Sequence, residues 1–151
     1  MQIFGQILRN DIFWVSGSAW VIAQTIKVLI GIIREKRFNF RWFIGTGGMP
    51  SSHAAGVASL ATSIGITHGC DSSLFAVTMV FTIIVLFDAQ GVRRATGRQA
   101  GILNKMLDDI YWRKRMDQER LRELIGHTPV EVFAGIALGI LTSVIYYYKL
   151  Y

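Results

Sequence analysis

The chain has 151 residues, of which 52% are hydrophobic and 17% charged, and a net charge of +6. It is too apolar for an ordinary soluble domain and its apolar residues fall in blocks, so a small polytopic membrane protein is the expected class. The basic excess is accounted for by orientation in a bilayer and by anionic headgroups, and no nucleic-acid partner is expected.

The first apolar block, residues 12–33, contains Lys27 as its one charged residue and is long enough to cross a hydrocarbon core of about 30 Å as a helix. It lacks a basic n-region beyond Arg9 and a clear small-residue cleavage site, which predicts that it stays in the mature protein. Lys27 and Arg34 are seven apart and share a side of that helix, two turns from one another. An intramembrane lysine is rare and either snorkels or serves a function.

Next comes Gly47-Gly48-Met49-Pro50-Ser51-Ser52-His53. Gly45, Gly47 and Gly48 allow backbone conformations closed to other residues. Pro50 suits the first turn of a helix, and Ser51 and Ser52 can cap it. Such a segment reads as an anion cradle at a helix N-terminus with His53 at its mouth. The Gly-Lys-Ser/Thr of a nucleotide P-loop is missing, so ATP binding is not expected.

The second block, residues 54–67, is short and rich in small residues. Gly56, Ala58, Ala61, Ser63 and Gly65 suit a helix held inside a bundle. A turn over residues 67–72 carries Cys70, whose solitude excludes an internal disulfide. The third block, residues 74–87, lies between Asp71 and Asp88, and Asp88 reads as a charge partner for Arg93, Arg94 or Lys27. Residues 91–126 read as a cytosolic or interfacial helical loop, with helical character over 99–106 and 109–124 and the alternative of a lid over a headgroup site. The fourth block, residues 129–148, follows Gly126-His127-Thr128-Pro129-Val130-Glu131. There the His127 to Glu131 spacing lets a carboxylate hold one imidazole N–H and leave the other nitrogen to attack.

The predicted fold is therefore an all-α polytopic membrane helix bundle of about four membrane helices, one integral membrane domain over residues 1–151. Thirteen of the sixteen lysines and arginines lie in the connections 34–53 and 88–128, and none in the turn between the second and third blocks. The positive-inside rule assigns those connections to the cytoplasm. Four spans then bring Lys27, Arg34, His53, Asp88, Arg93, Arg94, His127 and Glu131 to one membrane face. Trp42, Tyr111, Trp112 and Tyr146, Tyr147 and Tyr148 suit the interfaces.

These strings resemble one family. Pro50-Ser51-Ser52-His53 is similar to the Pro-Ser-Gly-His motif of the type 2 phosphatidic acid phosphatase superfamily. The stretch from His127 through Glu131-Val132 to Gly135 resembles its His-x-x-x-Asp-Val-x-x-Gly motif, and Lys27 with Arg34 its Lys-x6-Arg motif. Nearly the whole chain is similar to the divergent bacterial and plastid branch of that superfamily.

The resemblance implies a metal-independent, cofactor-free phosphatase acting on a lipid phosphate in a bacterial cytoplasmic membrane, and the positive-inside count has its site facing the cytoplasm. His127 would be the nucleophile that forms a phosphohistidine, Glu131 its orienter and His53 the general acid. Lys27, Arg34, Ser51 and Ser52 would hold phosphate oxygens, with Gly48 and Asp88 in support. The chain departs from the pattern at Glu35, Ser52, Leu121 and Glu131. Leu121 stands where the family carries an arginine, so Arg93 and Arg94 are expected to supply that charge. With four spans, a homodimer is the expected way to complete a lipid pocket. Two other classes remain open: a lipid-phosphate-binding or transport-related protein without turnover, and a metallohydrolase with His53, His127, Glu131 and Asp88 as ligands.

Overall fold

The computed structural model describes residues 2–36, 48–90, 99, 101–104, 106 and 128–150. Its helices are α1 (Gln2–Leu8), α2 (Asp11–Glu35), α3 (Ser52–His68), α4 (Ser73–Gln90) and α5 (Pro129–Leu150), and the described residues contain no strand. The four apolar blocks are thus four long helices, each running a few residues beyond the block at one or both ends. The described residues between 99 and 106 are helical as expected, while residues 109–124 lie outside the described set.

Local chemistry sets the boundaries. Asn10 takes an extended conformation and its side chain accepts a hydrogen bond from Phe13 N at 3.1 Å, which separates the short α1 from α2. Lys36, in the left-handed region, ends α2 by donating its N–H to Ile32 O. The expected turn after α3 is present: Gly69 has φ +84°, and Ser72 Oγ accepts from Phe75 N at 3.2 Å to start α4.

Helix α3 is the centre of the bundle. It packs most extensively on α5, then on α2, then on α4, whereas α4 and α5 touch only sparsely. Contact positions fix the directions. Gly56 lies against Trp20 and Ser16, and Gly48 against Lys27, so α3 runs antiparallel to α2. Thr82 Oγ1 donates to Val57 O while Phe75 meets Gly65, so α4 is antiparallel to α3. Gly135 meets Ser51 and Ala54, Gly139 meets Ala55 and Ser59, and Ser143 meets Ser59 and Ser63, so α5 is parallel to α3.

The α3–α5 seam is built from small residues at four-residue spacing. A Cβ on Gly139 would collide with Ala55 O and lie 2.9 Å from Ser59 N. One on Gly135 would collide with Ser51 O. Missing side chains let the two backbones approach, as in small-xxx-small contacts between membrane helices. Below the glycines the seam turns polar: Ser143 Oγ lies 2.8 Å from Ser59 Oγ and 3.1 Å from Ser63 Oγ, and it donates to Ser59 O at 3.0 Å, with all three serines fully buried. Each hydroxyl thereby has a partner inside the bundle, as burial requires.

Large apolar side chains point the other way. Phe13, Trp20 and Leu29 on α2, Val77, Ile84 and Phe87 on α4, and Phe133, Leu141 and Tyr148 on α5 are exposed. A central helix of Ala, Ser and Gly inside outward-facing Phe, Ile, Leu and Val is the inverse of a soluble bundle, and it fits lipid as the solvent. By length and composition α2 and α5 can cross a membrane, and α4 is a shorter apolar helix. Of the three consecutive tyrosines expected at an interface, Tyr147 turns into the bundle, Tyr148 faces out, and the Tyr146 hydroxyl bonds Asp11 at the start of α2.

Candidate active site

The helix directions place the C-terminal ends of α2 and α4 and the N-terminal ends of α3 and α5 together, here called the cap end. Two parallel helices presenting their N-termini side by side place first-turn N–H groups, which have no intrahelical acceptor, at the same level of the bundle.

At α3 the cap is Ser51, extended in conformation and fully buried, whose Oγ accepts from Ala54 N at 3.4 Å. Pro50 therefore lies ahead of the cap instead of in the first helical turn where the sequence reading put it; the Met49–Pro50 peptide is cis. Serine wins the cap because its hydroxyl can accept a first-turn N–H, which proline cannot. At α5 the cap is a reciprocal pair: Thr128 N donates to Glu131 Oε2 at 3.1 Å and Glu131 N donates to Thr128 Oγ1 at 3.4 Å. This is a capping box. The sequence reading gave Thr128 no role, although Thr-Pro-Val-Glu carries the Ser/Thr-x-x-Glu signature with proline at the first helical position.

One backbone hydrogen bond ties the two caps together, from Ser51 N to Glu131 O at 2.9 Å. It joins the segment that ends in His53 to the segment that begins beside His127. Gly135 is what permits it, because one turn beyond Glu131 its bare Cα lies against the Ser51 carbonyl.

Lys27 enters the same corner from α2. Only 9% of it is exposed. A Cβ placed on Gly48 would lie 3.0 Å from Lys27 Cδ and 3.1 Å from Cγ, so the lysine stem lies along the glycine. Gly48 has φ +92°, a conformation that L side chains rarely adopt. The Glu131 carboxylate attracts the Lys27 ammonium. Lys27, Gly48, Ser51 and Glu131 are thus one connected group contributed by three separate stretches of chain.

The other expected site residues have separate places. Ser52 is buried beside the cap, and His53, next along α3, is exposed. Arg34 is exposed two turns past Lys27, toward the end of α2, and Asp88 is exposed near the end of α4, both at the cap end. His127, Arg93 and Arg94 lie outside the described residues. Among the described residues no three His, Cys, Asp or Glu side chains gather closely enough to hold a metal ion.

A buried lysine, two helix N-termini and a capping carboxylate whose charge reaches the lysine make an arrangement suited to a small anion. Comparison with known proteins agrees with that chemistry, since the family model described as the divergent PAP2 family matches residues 8–142. The chain belongs to the divergent PAP2 family. It is also 41% identical over 154 aligned positions to the uncharacterized membrane protein YuiD of Bacillus subtilis (strain 168), covering 95% of this chain and 98% of that one. No solved structure matches it. Membership of the PAP2 branch and this membrane-protein relative agree with the lipid-facing exterior of the bundle. The chain is an all-α membrane protein related to phosphatases.

Proposed function

We propose that the chain is a metal-independent lipid phosphate phosphatase. His127 attacks phosphorus to form a phosphohistidine, Glu131 orients it, and His53 gives a proton to the departing lipid alkoxide; water then hydrolyses the phosphohistidine. Lys27, Arg34 and the α3 N-terminus at Ser51 and Ser52, with Arg93 and Arg94, neutralise the phosphoryl oxygens. Phosphoryl transfer depends mostly on positioning and charge neutralisation, and these groups supply both without a metal. General-acid help from His53 adds typically 10² to 10⁴ in rate. The positive-inside count supports a site on the cytoplasmic face and a substrate made there during phospholipid synthesis.

The observation that carries this reading is the 2.9 Å hydrogen bond from Ser51 N to Glu131 O. The two histidine-bearing segments are far apart in sequence, and that bond holds their helix caps in register. The test is phosphate release from a panel of lipid phosphates in detergent with chelator present, wild type beside His127→Ala. Release is expected from wild type, to be inhibited by vanadate as a mimic of five-coordinate phosphorus, and lost in the variant. Lipid-phosphate binding without release would make the chain a binding protein, and release abolished by chelator would make it a metallohydrolase.

A further inference from the structure

Because α4 and α5 both lean on α3 yet barely touch each other, a cleft of about 420 Å³ lies between them. Its floor is Ala61 and Gly65 of α3, and its walls include Met79 and Leu86 of α4 and Ile136 and Ile140 of α5. The volume is in the range of ligand sites, about 300 to 1,000 Å³. At a helical rise of 1.5 Å per residue, the α3 lining from Ala58 to Ile66 runs from roughly 10 to 22 Å below the Ser51 cap, past the depth of one leaflet of a ~30 Å core.

We propose that this cleft is the seat of one long fatty acyl chain of a glycerophospholipid phosphate whose phosphate rests at the cap end. The proposal rests on the reading of the cap end as a phosphate site and names the part of the substrate that would give it specificity. Three observations select the occupant. The lining is apolar apart from Thr62, Thr82 and Cys70, and two other threonines of these helices, Thr67 and Thr78, turn their hydroxyls back to the carbonyl one turn earlier. Thr62 does the same toward Ala58 O, and Thr82 donates to Val57 O, so the cleft offers a chain little that is polar. Contact between α4 and α5, though sparse, limits the cleft's width, which suits a single flexible chain better than a helix of about 10 Å diameter. The upper end at Leu86 and Ile136 leads toward Asp88 and Val132 at the cap end, so a lipid can place its phosphate at the caps and its chain in the cleft.

The experiment uses the full chain in nanodiscs of phosphatidylcholine, with a trace of phosphatidic acid bearing a photoactivatable diazirine in the outer half of one acyl chain. After irradiation, adducts are mapped by mass spectrometry. They are expected on α3 between Ala58 and Ile66 and on Met79 and Ile140, and to disappear with excess unlabelled phosphatidic acid, while adducts on the outward Val80, Ile84 and Val144 persist. Thr62→Phe and Ile140→Trp, on different helices, should each lower the cleft adducts roughly tenfold, the effect of displacing about two methylenes. Adducts spread evenly over outward faces, insensitive to competitor, would overturn the proposal even if both variants failed to fold. A diacylglycerol probe separates the two readings: cleft labelling as strong as with phosphatidic acid keeps the acyl seat and sinks the phosphate site at the caps.

Discussion

Lys27 illustrates how one side chain acquires its setting from residues distant in sequence. Its burial in α2 was foreshadowed by an apolar block with a single charge, but the reason it can lie at the corner is Gly48, whose missing Cβ leaves room for the stem and whose φ of +92° is suited to glycine. Gly48→Ala should therefore act twice, by backbone strain of order 1–3 kcal/mol and by pushing Lys27 aside. Lys27→Met keeps the stem and removes the charge. A hydrogen bond to a charged group is worth about 1.5–3 kcal/mol, so binding of a non-hydrolysable lipid phosphonate should weaken by roughly 10- to 150-fold. Equilibrium binding by scintillation proximity checks both; if Lys27→Met binds like wild type, the lysine has no part in holding phosphate. Glu131 was legible as a partner for His127 from its spacing. Its capping of α5 through Thr128 is carried by the same stretch, Thr-Pro-Val-Glu, because both functions use the same i, i+3 and i, i+4 neighbourhood of a helix start.

Among the helices, the apolar blocks foretold α2, α4 and α5 because lipid-facing surface demands long runs of large apolar residues. Helix α3 was recognised by the opposite property. Its small residues were rightly assigned to the bundle interior, and the structure divides them: Gly56 faces α2, Ser63 faces α5, and Ala58, Ala61 and Gly65 line the cleft. What periodicity could not tell was which partner met which face, since a helix covered on several sides has no single stripe to read. The Gly135, Gly139 and Ser143 spacing was the available signal for the seam with α5. Two substitutions separate its components. Ser143→Ala removes polar contacts that average about 0.6 kcal/mol between membrane helices and should lower thermal stability slightly. Gly139→Leu drives a branched side chain into Ala55 and Ser59, and should destabilise far more and abolish phosphate release by parting the caps. Thermal unfolding in detergent, followed by tryptophan fluorescence, measures both; equal losses would show that backbone approach is not what holds the seam.

For the molecule as a whole, the four long helices and the placing of Lys27, Arg34, Asp88 and Glu131 toward one end were legible from where apolar blocks stop, whereas the short α1 lies outside any block. The parallel course of α3 and α5, by contrast, had to be inferred from span number and is now fixed by contacts along the seam. Cys70, exposed in the α3–α4 turn, lies at the opposite end from the caps and offers a native reporter of orientation. With the caps in the cytoplasm, a membrane-impermeant maleimide should label it in intact spheroplasts. Labelling only after lysis would reverse the orientation.

The seam between α3 and α5 also bears on how the protein is made. A ribosome delivers α3 before α5, so for the time it takes to synthesise everything between them, Ser59 and Ser63 lack the helix that covers them. A helix in which alanine, glycine and serine make up more than half of the residues gains less from partitioning alone into hydrocarbon than α2 or α5 does. Its retention in the bilayer therefore depends on the later arrival of α5, which makes completion of the cap end a consequence of finishing the chain. A chain truncated before Pro129 should leave Cys70 on the cytoplasmic side, protected from impermeant maleimide, and normal external labelling of that truncation would show that α3 inserts unaided.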